Sequence, residues 1–470
     1  MLNQNRNNSI SLLVLSFISF SFFFASCQKD PVINDSSYIP EIEIRDSTYI
    51  YTKDIYLWDD VLPPIEDFKP RNSVDIFGVM TKVRSFQPLD RFSFVEKKED
   101  TDNANQGKDS DFGFLVKFST SSTDLRVNYV YQSSPGGIAG VKRGWKIIAL
   151  NGRALDGSKP ADITFLNDVF FGTSRSADFT FQKPDGSTVI SKIAKNLYPL
   201  NTILYKNVYS YGSKKIGYLV YNQFGGISSV YELTNAIDYF QSNGVNEMVI
   251  DLRYNRGGFV STQDTLANML APQSVGRGQN IMYKYIFNKK YTKWNETTFF
   301  NKTGTLNLSK IVFIVTPASA SASELLINNL RPVMNVKLVG EKNTYGKPVG
   351  FFPIPVFDYN IYPVSFKTVN SVGSADYYEG FPVDKITIDD LSKDFGDINE
   401  ASLKEALNYI NSGAFSSKVQ SRILSTGSSV SEYQLDGINE NLNAPVRKIE
   451  IENRRDKMPR PIRELQEKFR

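Results

Sequence analysis

The alternation of apolar and polar positions divides this chain into six stretches. Residues Ile10 to Ala25 are almost all apolar and follow a single positive charge at Arg6. That run is short for a bilayer span, which needs about 20 residues, and small residues follow it, so residues 1–27 read as a cleaved export signal. Residues 28–44 are polar, with Pro31, Asn34, Asp35, Ser36 and Ser37, and read as a tether. Helical spacing then appears in Ile55, Trp58, Val61 and Leu62, ended by Pro63-Pro64, and again in Val74, Ile76, Phe77, Val79, Met80 and Val83. These predict a helical domain over 45–108, closed by the charged loop from Glu96 to Asp111.

Strand patterns take over from there to about residue 198. Asp111 to Val116 opens a strand, Leu125 to Val130 alternates, Ile147 to Leu150 is apolar, and Asn151-Gly152 is a hairpin turn. From Leu200 onward strands and helices alternate. Lys215–Tyr221, Glu247–Asp251 and Ile311–Val315 read as strands. Val230–Phe240, the stretch around Leu266, Met269 and Leu270, and Leu325–Leu330 before Pro332 read as helices. Such alternation predicts an α/β core over 199–412, ending in a helix from Asp397 to Ile410. Residues 413–470 are Ser-rich, then charged, and read as a tail. The expected fold class is α/β and multidomain.

Composition removes several chemistries. The chain has 470 residues, no histidine and one cysteine, so neither a Ser-His-Asp triad nor a Cys-His dyad can form within it. Without imidazole or a second thiolate, no metal and no cofactor is implied. The segment from Lys284 to Lys302 is basic and aromatic, with Tyr283, Tyr285, Tyr291 and Trp294. The overall net charge is only +4, so that segment reads as a hairpin or flap facing substrate and no nucleic-acid partner is expected. The lone cysteine, Cys27, ends Phe24-Ala-Ser-Cys27, which resembles a bacterial lipobox. That resemblance implies lipidation of Cys27 and anchoring of an exported protein to the outer membrane, at its periplasmic or its outer face.

One stretch has the makings of a catalytic centre. Thr316-Pro-Ala-Ser-Ala-Ser-Ala-Ser-Glu324 lies where the apolar strand Ile311–Val315 turns into a helix. The first helical turn offers free N–H groups and a dipole that favours negative charge. An oxyanion formed beside a serine there would find donors in place. With histidine absent, the base for such a serine must be a lysine, an N-terminal amine or a carboxylate. Lys347, within Gly340-Glu-Lys-Asn-Thr-Tyr-Gly-Lys-Pro-Val-Gly350, suits a partly buried turn, and burial would lower its pKa from about 10.4 toward neutrality. The plain alternative is an N-cap of small residues followed by an unrelated Gly-Lys turn.

Taken together, Ala318-Ser-Ala-Ser-Ala-Ser-Glu324, Tyr345-Gly-Lys347 and Asp251-Leu-Arg-Tyr-Asn-Arg-Gly-Gly258 resemble the C-terminal processing, or tail-specific, serine peptidases. The resemblance covers roughly residues 45–410. It implies an N-terminal helical domain, a β-rich PDZ domain over 109–198 and an α/β ClpP/crotonase-like protease core. It makes Ser321 the nucleophile, Lys347 the general base 26 positions on, and Gly257 or Gly258 together with Ala322 the oxyanion donors. Asp251 and Arg253 are expected to pair and hold the loop. The segment Ser134-Pro-Gly-Gly to Asn151-Gly152 resembles a bacterial protease PDZ domain, in which Phe112-Gly113-Phe114 would meet a substrate's terminal carboxylate. The alternative there is a glycine bend between two core phenylalanines. Leu89-Asp-Arg-Phe-Ser93 resembles part of the family's helical domain. Members often carry a glutamine four residues after the lysine, and here that position is Phe351.

The implied activity is a serine endopeptidase that captures proteins or peptides by their exposed C-termini, with no signal for an oligomeric state. Two other readings stay open: a PDZ-containing peptide-binding scaffold with a dead core, and a binder of lipophilic ligands.

Overall fold

The computed structural model describes residues 41–100 and 108–417. The signal, Cys27 and the tail from 418 onward lie outside the described residues. No helix among those described is long and apolar enough to cross a membrane.

The catalytic region is built on a six-stranded sheet. Its order is Lys385–Ile386, Asn335–Gly340, Lys310–Val315, Glu247–Asp251, Lys214–Tyr221 and Ile203–Tyr211. Every neighbouring pair is parallel except the last. Parallel strands are covered on both faces and therefore read as near-continuous apolar runs, as Ile311–Val315 does. Leu219, Met248, Ile250, Ile311 and Phe313 face the helices Ile227–Ser242, Val260–Leu270 and Ala322–Leu330. Alternate residues Tyr218, Val220, Val249, Val312 and Ile314 face Leu403, Ala406 and Ile410 of the helix Ala401–Ser412.

A separate antiparallel sheet carries the β-rich unit. Its strands run in the order Phe114–Phe118, Leu125–Val130, Lys146–Leu150, Ser176–Gln182 and Thr188–Ala194. Helix Pro160–Phe171 shares its aromatic core through Leu166 and Phe170. Phe114–Phe118 is an edge strand with one neighbour. Lys108–Asp111 pairs with Asn196–Pro199, bringing the two ends of the unit together.

At the N-terminus, helices Glu41–Ile55 and Ile76–Ser85 pack an aromatic core with Phe68, Phe94, Phe351 and Tyr362. The first helix starts inside the stretch expected as a tether, because Ile44 already packs on that core. It stops at Ile55, and the expected turn at Trp58–Leu62 is a single 3-10 turn over Asp59–Val61. Strand Phe94–Lys97 pairs antiparallel with Tyr359–Tyr362. The helical region is thus bonded to the segment that follows Lys347. Arg277–Phe287 and Thr297–Asn301 pair as a hairpin, as the basic aromatic pattern predicts.

Candidate active site

The strand Lys310–Val315 delivers the Ser/Ala run to the sheet's C-terminal end, and helix Ala322–Leu330 leaves from it. Burial tells its three serines apart. Ser319 and Ser323 are fully buried, and their hydroxyls donate to the carbonyls of Leu252 at 2.7 Å and Asn255 at 2.9 Å. Both are braces between the two motif loops. Ser321 is the partly exposed one. Its φ of 56° is a left-handed conformation uncommon for a residue with a side chain. It sits at the N-cap of the helix, the sharp strand-to-helix turn that presents a serine at the end of a sheet.

The Asp251–Gly258 loop lies beside it. Asn255 is buried, donates to Tyr221 O at 2.9 Å and accepts the amide of Gly257 at 2.9 Å. Its own carbonyl accepts from Ala320 at 3.1 Å. A Cβ on Gly257 would stand 2.8 Å from Ser321 Cβ and 2.9 Å from Ala322 N. Gly258 has φ 138°, and a Cβ there would meet Phe224 O at 2.0 Å, so only glycine fits. Gly257 spends its N–H on Asn255, whereas the amides of Gly258 and Ala322 donate to nothing among the described residues. Asp251 and Arg253 pair as expected, at 2.7 Å, and Arg253 also reaches Asp389 at 2.9 Å and Glu400 at 3.0 Å.

Lys347 is brought to Ser321 by Glu324, a fully buried carboxylate. Its Oε2 accepts the amide of Ser321 at 3.0 Å and the amide of Lys347 at 2.8 Å, so those two backbone nitrogens lie within about 6 Å of each other. Oε1 accepts from Thr344 Oγ1 and from Gly346 N, both at 2.6 Å. Burial pushes this carboxyl above its ordinary range, against the pull of those four donors. Gly346 has φ 91°, and a Cβ there would come within 2.1 Å of Tyr378 O, which accounts for the glycine before the lysine.

The side chain of Lys347 is 2% exposed and forms no ion pair or hydrogen bond among the described residues. Its Nζ rests 3.8 Å above the ring centroid of Phe351 and 6.0 Å from that of Phe92. Burial lowers its pKa to about 7, against the opposing pull of Glu324 and Asp90. Phe351 is itself fixed edge-on by Phe94 at 5.1 Å and Tyr362 at 5.7 Å.

Other residues at the site carried no chemical signal in the sequence. Arg91 donates to the carbonyls of Tyr345 at 2.7 Å and Tyr378 at 2.9 Å and so clamps the lysine loop from the helical region. Asp90 accepts from Tyr56 at 2.7 Å and from Ser93. Glu324 could have been found, since Ser321-Ala-Ser-Glu324 has the Ser-x-x-Glu spacing in which a glutamate reaches back to the N-cap amide.

In the β-rich unit, Phe112 and Phe114 are buried in the aromatic core, each edge-on to Phe179. Gly113 bends the chain at φ 76° against Ser134, and its amide donates to Asp111 Oδ1 at 2.6 Å. Four residues beyond Gly113 a largely buried joint begins. Lys117 of the edge strand bonds Glu341 at 2.9 Å and lies 3.7 Å from Asp389. Arg143 reaches Asp389 at 2.8 Å and Tyr254 Oη at 2.6 Å. Asp389 therefore touches both the β-rich unit and the loop that carries Gly257 and Gly258.

The fold and site together define an α/β core with a serine at a strand-to-helix turn and a neutralisable lysine beside it. Residues 215–370 match the model of Peptidase family S41. It is 25% identical over 265 residues to a probable CtpA-like serine protease of Staphylococcus aureus, covering 55% of this chain and 49% of that protein. It is 27% identical over 218 residues to the carboxy-terminal processing protease CtpA of Bacillus subtilis, covering 46% and 43% of the two chains. The match thus spans about half the length of these curated relatives. A crystal structure from Bacteroides fragilis, assigned to the S41 proteases, superposes with a TM-score of 0.59 at 25% identity. That superposition covers 80% of this chain and 98% of the other.

Proposed function

We propose that this protein is a serine endopeptidase in which Ser321 and Lys347 act as a dyad. One observation carries the reading: a buried, unpaired lysine is hung on the same carboxylate oxygen as the amide of the partly exposed, left-handed serine. Neutral Lys347 takes the proton of Ser321 Oγ as that oxygen attacks the scissile carbonyl. The resulting oxyanion is met by the amides of Ala322 and Gly258, with Gly257 shaping the loop through Asn255. The ammonium of Lys347 then protonates the departing amine, and water, deprotonated by the same lysine, releases the acyl group from Ser321. Phe351 and Phe92 keep the amine dry, which favours its neutral form.

The substrates are proteins or peptides with accessible C-termini, held by the β-rich unit acting as a PDZ domain. Its edge strand Phe114–Phe118 leaves one side open for an added peptide strand. Export and attachment through a lipidated Cys27 complete the reading, on the strength of the N-terminal sequence.

The test is cleavage of an unstructured protein with an apolar C-terminus by a form lacking residues 1–27. Ser321→Ala and Lys347→Ala are expected to lose activity by roughly a thousand-fold or more. The parent's kcat/KM should rise with pH through about 7, as Lys347 loses its proton. Binding of the same substrate without cleavage by the parent would make the protein a peptide-binding scaffold instead.

A further inference from the structure

Within Asp251–Gly258 one charge is left unanswered. Asp251 pairs with Arg253, which also bonds Asp389 and Glu400. Arg256 forms no ion pair and no hydrogen bond among the described residues, yet it is more than half withdrawn from solvent. It directly precedes Gly257, whose Cβ direction points at Ser321 Cβ from 2.8 Å. The charged and titratable groups around its guanidinium are tyrosines: Tyr129 and Tyr131 from the β-rich unit and Tyr345 from the lysine loop. Burial lowers the pKa of Arg256, with no carboxylate to offset it.

A guanidinium held out of water without a counter-ion costs stability. Four other cations that this fold buries or half-buries in its motif loops and at the joint between the units are either paired or, for Lys347, assigned a chemical role: Arg253, Arg143, Lys117 and Lys347. The planar fork of arginine matches a carboxylate with two parallel bonds. Arg256 lies among Tyr129 and Tyr131 of the β-rich unit and Tyr345 of the lysine loop, one residue before the glycine that abuts Ser321.

We propose that Arg256 is a specificity-determining residue that binds a carboxylate of the substrate next to the scissile bond. This rests on the endopeptidase reading for the identity of the site. The carboxylate has two sources: an aspartate or glutamate side chain flanking the cut, or the α-carboxylate of a short C-terminal remnant.

The experiment crosses two changes in one peptide substrate: glutamate or glutamine at the positions flanking the cut, and a free or amidated C-terminus. The parent, Arg256→Gln and Arg256→Lys are compared by kcat/KM. Binding of the same peptides to the Ser321→Ala protein, with and without Arg256→Gln, is measured by fluorescence anisotropy. The parent should favour one carboxylate form over its amide by roughly ten-fold or more, in rate and in binding. Arg256→Gln should bring that ratio to about one, and Arg256→Lys should keep part of it. Sensitivity to the side chain or to the terminus identifies the source. A parent indifferent to both, or an Arg256→Gln variant that keeps the preference while melting at the parent's temperature, overturns the proposal. If the parent cleaves nothing, the binding arm still decides the role of Arg256, because it does not depend on turnover.

Discussion

Lys347 shows how much of this site is a matter of single contacts. A lysine buried in a purely apolar pocket would lose its charge, and one beside a carboxylate would keep it. Lys347 has neither surrounding alone. Its Nζ faces the π-cloud of Phe351 at 3.8 Å, an interaction that favours the ammonium and fixes its direction. Burial is the larger effect, and the pKa is drawn down to about 7. Phe351→Leu keeps the burial and removes the ring's charge distribution. The acid limb of the kcat/KM profile should therefore move to lower pH, by something under one unit for a cation–π contact of about 1 kcal/mol. The pH-independent plateau should fall as well, because nothing then pins the amine. A profile measured from pH 5 to 10 checks both, and an unshifted limb would show that the ring only fills space.

The strand-to-helix element is held by its neighbours more than by its own hydrogen bonds. Ser319 and Ser323 fasten it to the Leu252–Asn255 turn, and Asn255 fastens that turn to the strand ending at Tyr221. Asn255 is thus a three-way pin whose side chain also occupies the amide of Gly257. Asn255→Ala leaves the buried Gly257 amide without its partner, at a cost of roughly 1–3 kcal/mol. Both glycines would also lose their fixed direction. A fall in kcat of roughly ten-fold or more with little change in KM is expected, since an oxyanion donor acts in the transition state. Chemical denaturation and steady-state kinetics on the same preparation read the two effects separately.

At the scale of the whole molecule, the chain is laced together across its expected domains. The helical region contributes Arg91 and Phe92 to the lysine loop, and its core is completed by Phe351, Phe352 and Tyr362. The β-rich unit meets the core at Asp389, which faces Arg143, Arg253 and Lys117. Burial alone would raise the pKa of Asp389, but the three cations outweigh it and hold the carboxyl well below the usual carboxylate range. A depressed carboxylate contributes stability above its unfolded pKa, and that contribution is lost as pH falls below about 4. Asp389→Asn leaves Arg143 without a carboxylate, while Arg253 keeps Asp251 and Glu400 and Lys117 keeps Glu341, and should cost on the order of 3–5 kcal/mol at pH 7. The gap between variant and parent should narrow at pH 3, and urea titrations at the two pH values check it.

Much of this was open to reading in the chain itself. Continuous apolar runs such as Ile311–Val315 meant strands covered on both faces, and their alternation with helices gave the α/β core. The absence of histidine left a lysine, an N-terminal amine or a carboxylate as the base for a serine, and the resemblance to the tail-specific peptidases implied Ser321 and Lys347. Apolar runs and composition are local properties, and they hold wherever the chain folds. Tertiary structure alone decided which of three serines stays partly exposed, because burial of Ser319 and Ser323 depends on the carbonyls of a loop 67 and 68 residues away. It alone placed Nζ on the Phe351 ring, where sequence comparison marked only a missing glutamine. It also left Arg256 without a counter-ion while answering every other charge of its motif. Hydrogen-bond partners, ring contacts and dielectric surroundings come from residues far apart in the chain, so no window of sequence contains them.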